Sequence, residues 1–195
     1  MKIIWEGPDL KRLWVSGYRS YELGIFGDTD VKLKVIKYSL KKQLTQYLDD
    51  GLEWLITGGQ MGIEQWSLQV ATELKAIYPD LKLAMMLPFN DFGQQWNAHN
   101  QAQLSQLKAT VDFCQPVTNA PYAGPQQLRQ YQQFMLKHTD GQLLYYDRDA
   151  TGKPEYDYHA AQQYQETQAY PINLVDFFEL QDLATELAEL DEQKF

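Results

Sequence analysis

The sequence is poor in the residues that most often announce a chemistry. It holds one cysteine, Cys114, and three histidines, His99, His138 and His159, in 195 residues. A single cysteine excludes an internal disulfide framework and fits a reducing compartment. The surrounding stretch "TVDFCQPV" is strand-like and apolar, so the thiol is expected to be buried rather than reactive. The histidines share no short ligand spacing, and no metal site is expected. Neither a G-x-S-x-G elbow nor a serine evidently paired with a histidine is present. Positive charge is also scarce. Seventeen lysines and arginines face 26 acidic residues, for a net charge of −9, which argues against non-specific binding to nucleic acid or anionic membrane. A local basic patch remains compatible with that balance. No apolar run approaches the roughly 18 residues that span a bilayer. The first residues, "MKIIWEGPDLKRLWVSG", lack the apolar stretch and cleavage site of a signal peptide. A cytoplasmic protein is expected.

The sequence is rich in short apolar runs that alternate with helical periodicity. "LWVSG" (13–17) is a strand ending at glycine, and the segment 30–50 repeats Leu33, Ile36, Leu40, Leu44 and Leu48 on one face. Asp28 or Asp30 can cap that helix and Gly51 can end it. Strand "LEWLIT" (52–57) leads to a helix whose stripe is Ile63, Trp66, Val70, Leu74 and Ile77. Strand "LKLAMMLPF" (81–89) is apolar nearly throughout, as a strand buried on both faces should be. A helix around 94–108, strand 111–117 and a helix over 125–138 with Leu128, Tyr131, Phe134 and Met135 follow. Strand 141–147, a helix around 155–168, a short strand "YPINLV" and a helix over 176–191 with Phe177, Leu180, Leu183 and Leu187 complete the chain. This alternation predicts an α/β, Rossmann-like doubly wound sandwich, a mostly parallel sheet with helices on both faces. A single domain over 1–195 is expected, with 1–12 as an N-terminal extension.

In such folds ligands collect at the carboxyl ends of strands, so the loops after strands are the places to search. After the first strand, "SGYRSYELGIFGD" offers Gly17, Tyr18, Arg19 and Glu22 in a segment with no regular period. Either it is an ordered loop that closes the sheet, or Arg19 meets a phosphate or carboxylate there. After the second strand, "TGGQMGIEQW" sets Gly58, Gly59, Gln60 and Gly62 before a helix, with Glu64 in its first turn. Amides at a helix N-terminus lack intrahelical partners and favour phosphate, and glycine lets a ligand come close. The spacing is neither G-x-G-x-x-G nor a P-loop, and a plain turn accounts for it as well. Glu64 suits the helix dipole but would repel a phosphate, whereas a ribose hydroxyl would donate to it. After the third strand, Phe89, Phe92 and Trp96 either stack on a base or cap the core. After the fourth, Tyr122 and Arg129 stand near a helix start.

"VSGYRSYELGIFGD", "GLEWLITGGQMGIEQW", "YPDLKLAMMLPF", "APYAGPQQLRQ" and "HTDGQLLYYD" occur in this order. Together they resemble the YpsA-like family of Firmicutes, within the SLOG superfamily, over about residues 13–175. The resemblance implies a Rossmann-like fold with a nucleotide-derived ligand, NAD or ADP-ribose in this branch, and a link to cell division or stress response. It places the glycine-rich element at Gly58, Gly59, Gln60, Gly62 and Glu64, and the first-strand element at Gly17, Tyr18, Arg19 and Glu22. LOG-type enzymes of the superfamily carry P-G-G-x-G-T-x-x-E. Here the glycines are one residue further apart, and Glu64 does not occupy that motif's glutamate position. DprA-type proteins carry S-G-x-A-x-G-I-D, which "TGGQMGIE" follows in spacing, but they bind single-stranded DNA and call for a basic groove.

Three readings follow. The first is binding or sensing of a nucleotide or nucleotide-derived small molecule. Here the glycines admit phosphate, Arg19 adds charge, Glu64 holds a ribose, and Tyr18 or Phe89 stacks on a base. The second is a hydrolase of a nucleotide or N-glycosidic bond, with Glu64 or Glu22 as general base or cation stabiliser. The third is a module for single-stranded DNA or protein interaction that uses the sheet as a scaffold.

Overall fold

The computed structural model describes residues 10–193, so positions 1–9 of the extension expected over 1–12 lie outside the described residues. Strands and helices alternate throughout: β1 (Arg12–Gly17), α1 (Val31–Asp49), β2 (Trp54–Thr57), α2 (Ile63–Leu74), β3 (Lys82–Phe89), α3 (Ala98–Thr110), β4 (Phe113–Thr118), α4 (Pro125–His138), β5 (Gly141–Tyr145), α5 (Pro154–Gln165), β6 (Ile172–Val175) and α6 (Phe177–Glu192). The six strands form one sheet in the order β4-β3-β2-β1-β5-β6, and every pairing is parallel. From β1 the chain winds outward to β4, then crosses back to lay β5 on the other side of β1. The order therefore reverses at β1, where a doubly wound sheet opens its crevice. Among the described residues, no helix is long and apolar enough to cross a membrane.

The near-continuous apolar strands follow from burial on both faces. Along β1, Leu13 and Val15 join one core while Trp14 between them joins another. Along β3, Leu83, Met85 and Leu87 face the first core, and Ala84 and Met86 the second. The first core is roofed by α1, α2 and α3, with Leu180 of α6 against it. The second is roofed by Tyr131, Met135 and Leu136 of α4 and Ala161 of α5. The edges are treated differently. Edge strand β4 carries Pro116, a residue that an edge accommodates most readily, and Cys114 in it is half-buried, its thiol pushed up by desolvation.

The ends of the helices show where local chemistry overrides periodicity. Asp30 caps α1 by accepting from the Lys32 N–H at 2.8 Å. Helix α2 stops at Leu74, three residues before Ile77, so that last member of the expected stripe lies outside the helix and is 69% exposed. Helix α3 begins only at Ala98, because Asn97 caps it by accepting from the Asn100 N–H at 2.9 Å. In α4 the buried position is Gln127, not Leu128, which is exposed. Gln127 is held by Ala123 and Pro121: it accepts from the Ala123 N–H at 2.6 Å and donates to the Pro121 carbonyl at 2.9 Å. In α6 only Leu183 is fully buried, while Phe177 is exposed.

The junction between the β1 loop and α2 fixes the site. Arg19 and Gly62 form an isolated antiparallel bridge, with the Ser20 N–H donating to the Met61 carbonyl and the Ile63 N–H to the Tyr18 carbonyl, each at 3.2 Å. Gly62 has φ of +112°, and a Cβ there would stand 2.5 Å from the Tyr18 carbonyl oxygen and 2.6 Å from the Ser20 nitrogen. Both neighbours are backbone and have little freedom to yield. Gly62→Ala should therefore destabilise the protein by about 2–3 kcal/mol in urea unfolding, with or without any ligand.

Candidate functional site

A cleft of 390 Å³ opens over the carboxyl ends of the central strands, between the N-terminal halves of α4 and α5. Gly17 and Arg19 come from the end of β1, and Gly58, Gln60 and Glu64 from the β2–α2 turn. Pro88 comes from β3, and Pro125, Leu128, Arg129, Tyr131 and Gln132 from α4. Lys153, Tyr156 and Asp157 come from the start of α5. Three cations, Arg19, Arg129 and Lys153, and two carboxylates, Glu64 and Asp157, thus share one opening. Tyr156, 65% exposed, and Leu128 add apolar surface at its side.

Glu64 is the most constrained of these groups. It is only 7% exposed, although it sits in the first turn of α2. Its Oε2 accepts from the Gln60 N–H at 2.7 Å, so the glutamate turns back onto the glycine-rich turn that precedes it. Desolvation raises its pKa to about 7 and Asp157 adds to the rise, while the Gln60 and Gly58 amides and Arg19 oppose it. Burial likewise raises the Asp157 pKa, against hydrogen bonds from Gln132 at 2.8 Å and Ser16 at 3.0 Å and the attraction of Arg19. Ser16 in turn accepts from Gln142 Nε2 at 3.3 Å, a chain that orients Asp157 from beneath. The Tyr131 hydroxyl is buried without a hydrogen-bond partner among the described residues, and burial together with Glu64 and Asp157 pushes its pKa well up.

Glu22 organises two of the cations. Its Oε2 accepts from the Arg19 N–H at 2.8 Å and its Oε1 from the Lys153 N–H at 2.7 Å, tying the β1 loop to the start of α5. The Arg19 guanidinium stays 4.0 Å from Glu22, partly exposed and turned to the cleft. Behind it, the Tyr18 hydroxyl accepts from the Asp147 N–H at 3.1 Å and lies within donating distance of the Ala150 and Asp147 carbonyls, at 3.2 and 3.3 Å.

Six of the residues singled out from sequence meet in the cleft: Gly17, Arg19, Gly58, Gln60, Glu64 and Arg129. The others stand elsewhere. Tyr18 is 3% exposed, with Phe177 stacked on its ring at 5.2 Å, so it has no open face for a base. Glu22 is outside the lining, with both carboxylate oxygens accepting backbone amides. Gly59 is packed on Met85, and Gly62 on the β1 loop. Phe89, Phe92, Trp96 and Tyr122 form an aromatic cluster of their own: Phe89 meets Phe92 and Tyr122, and Phe92 meets Trp96 edge-on. Two amides of the glycine-rich turn and the α2 start also differ from the expectation of a free phosphate cradle. Gln60 N–H is on Glu64 and Ile63 N–H is on the Tyr18 carbonyl.

Sequence reasoning missed Asp157, Lys153 and Tyr156, and read Tyr131 as a core residue only. The first three lie in "GKPEYDY", just beyond β5. The stretch from β5 into the first turn of α5 carried the same positional signal as the segments after β1 to β4, but no glycine cluster to draw notice.

The raised pKa of Glu64 makes a signed prediction. The unfolded carboxyl titrates near 4.5 and the folded one near 7, so the native state binds the proton more tightly. This contribution is full below pH 4.5 and is lost as pH rises through 7, with Asp157 acting in the same direction. Glu64→Gln should flatten the fall of stability between pH 4.5 and 7, by up to about 3 kcal/mol, in denaturant melts run across that range.

The family assignment rests on comparison with known proteins. The YpsA family model, described as the YspA SLOG family, matches residues 13–180. A UPF0398 protein of Latilactobacillus sakei subsp. sakei (strain 23K) is 75% identical over 95% of this chain and 100% of its own length. UPF0398 proteins of Lactiplantibacillus plantarum and Lacticaseibacillus casei are 54% and 53% identical, each over 95% of this chain and 98% and 97% of their own. The cleft is therefore built from segments of a domain shared along nearly its whole length, and the chain belongs to the YpsA family of SLOG proteins.

Proposed function

We propose that the cleft binds a nucleotide or nucleotide-derived small molecule, in the manner of ADP-ribose or NAD, and that the protein acts as a cytoplasmic binding or sensing component linked to cell division or stress response. The observation that carries the reading is the convergence of Arg19, Arg129 and Lys153 on one opening beside the buried carboxyl of Glu64. A pocket of 390 Å³ falls within the range of small-molecule sites. The guanidinium and ammonium groups suit phosphate oxygens, and Glu64 suits hydroxyl donors. Phosphate belongs with these side chains rather than with the Gln60 and Ile63 amides, which already have acceptors. Tyr156 and Leu128 offer the apolar faces that a base needs. The single, half-buried cysteine fits the reducing cytoplasm.

A second reading has its own support. A buried carboxyl titrating near neutrality is suited to exchange a proton with a leaving group, so a hydrolase of a nucleotide or N-glycosidic bond would use Glu64 as its acid–base group. Glu22 would then position Arg19 and Lys153 and touch no substrate.

Thermal-shift measurement against NAD, ADP-ribose, nucleoside mono- and triphosphates and free phosphate tests the first reading. A ligand at a hundredfold its Kd stabilises by about 2.7 kcal/mol. Arg19→Ala, which leaves the Gly62 junction intact, should weaken that ligand roughly tenfold or more. Absence of any shift, with salt-sensitive retention of single-stranded DNA instead, would favour an interaction module. Turnover by wild type that Glu64→Gln abolishes without loss of binding would favour the hydrolase.

A further inference from the structure

Among the described residues, Tyr131 is the one cleft residue with a buried side-chain polar atom that lacks a hydrogen-bond partner. Its ring is fixed edge-on to Trp14, with centroids 6.4 Å apart at 84°, within the core beneath α4. Its hydroxyl is buried and has no hydrogen-bond partner among the described residues. An unmet hydroxyl in such a place costs more than a satisfied one gains, so its retention needs a reason. Gly58 supplies the geometry. A Cβ on Gly58 would stand 2.3 Å from the Tyr131 hydroxyl and 2.7 Å from Glu64 Oε2, so the glycine is what lets a phenol and a carboxyl close in on one spot of the cleft floor.

Resting on the nucleotide reading of the cleft, we propose that Tyr131 and Glu64 together hold the hydroxyl groups of a ribose over Gly58, and so select ribonucleotide ligands over their deoxyribose counterparts. The chemistry of the spot narrows the class. A phosphate placed there would face Glu64 and Asp157, both carboxyls. An apolar group would leave the phenol and the carboxyl unmet. An ammonium would satisfy Glu64 but offers no acceptor to the phenolic proton. A sugar hydroxyl both donates and accepts, so a ribose gives a donor to Glu64 and an acceptor to Tyr131. Arg19, Arg129 and Lys153 line the same cleft and supply the cations that the phosphate of such a ligand needs. Selection follows from the asymmetry of buried hydrogen bonds. A site built for a hydroxyl rejects the analogue lacking it, because its own buried groups are left unpaired.

Calorimetric titration of the full chain tests this with the four ribonucleoside 5′-monophosphates, ADP-ribose, and the 2′-deoxy and 3′-deoxy forms of each monophosphate. The nucleotide that binds wild type should outbind at least one of its deoxy forms by roughly tenfold or more. In Tyr131→Phe, which keeps the ring against Trp14, the ribonucleotide should weaken while the deoxy form does not, closing the gap to within about threefold. Equal binding of ribo and deoxy forms by wild type overturns the selection and leaves the nucleotide reading standing. A preference that survives unchanged in Tyr131→Phe, or equal weakening of both forms, removes Tyr131 from the role. Binding of no nucleotide, from protein with a normal unfolding transition, overturns the nucleotide reading and this inference with it.

Discussion

The close seating of the β1 loop on the N-terminus of α2 is the contact on which the rest of the site depends. It is a backbone-to-backbone approach, possible only because Gly62 has no side chain and adopts a positive φ. The approach does two things at once. It gives the Ile63 amide a carbonyl acceptor, and it delivers Arg19 to the mouth of the cleft. Glu64 then turns back to take the Gln60 amide, so the helix end is closed from both sides before any ligand arrives.

This closure changes what the glycine-rich turn is for. Gly62 serves the protein's own backbone, Gly59 admits the Met85 side chain from β3, and Gly58 alone borders the cleft. Three glycines that look alike in sequence therefore answer three different neighbours. The carboxyl they surround keeps a proton near neutrality because its desolvation outweighs the amides and the arginine that would ionise it.

The sheet was legible in the sequence because burial on both faces leaves a strand no freedom to be polar. β3 reads as apolar from Leu83 to Phe89, and the helices announced themselves wherever their stripes faced one core, as Leu33, Ile36, Leu40 and Leu44 do. The near half of the cleft was legible too, since Arg19, Gly58 and Glu64 lie just past strands. The far half was not. Tyr131 and Asp157 sit on helical faces whose neighbours look like ordinary stripe and surface, and only the crossover from β4 to β5 brings α4 and α5 opposite the β2 turn. Aromatic residues misled for a physical reason: Tyr18 and Phe89 are large apolar groups first, and the core and the Phe92–Tyr122 cluster claimed them.

Tyr18 and Glu22 join three segments that are far apart in sequence. Tyr18 stacks on Phe177 at the start of α6 and hydrogen-bonds across the 147–150 turn, and Glu22 spans from Arg19 to Lys153. Asp147 also accepts the Phe177 N–H, at 3.1 Å. None of these segments can lift without breaking links to the others, so their stabilities are coupled. Arg19 and Lys153 are thus held through one carboxylate, while Arg129 reaches the same mouth from α4, outside these links.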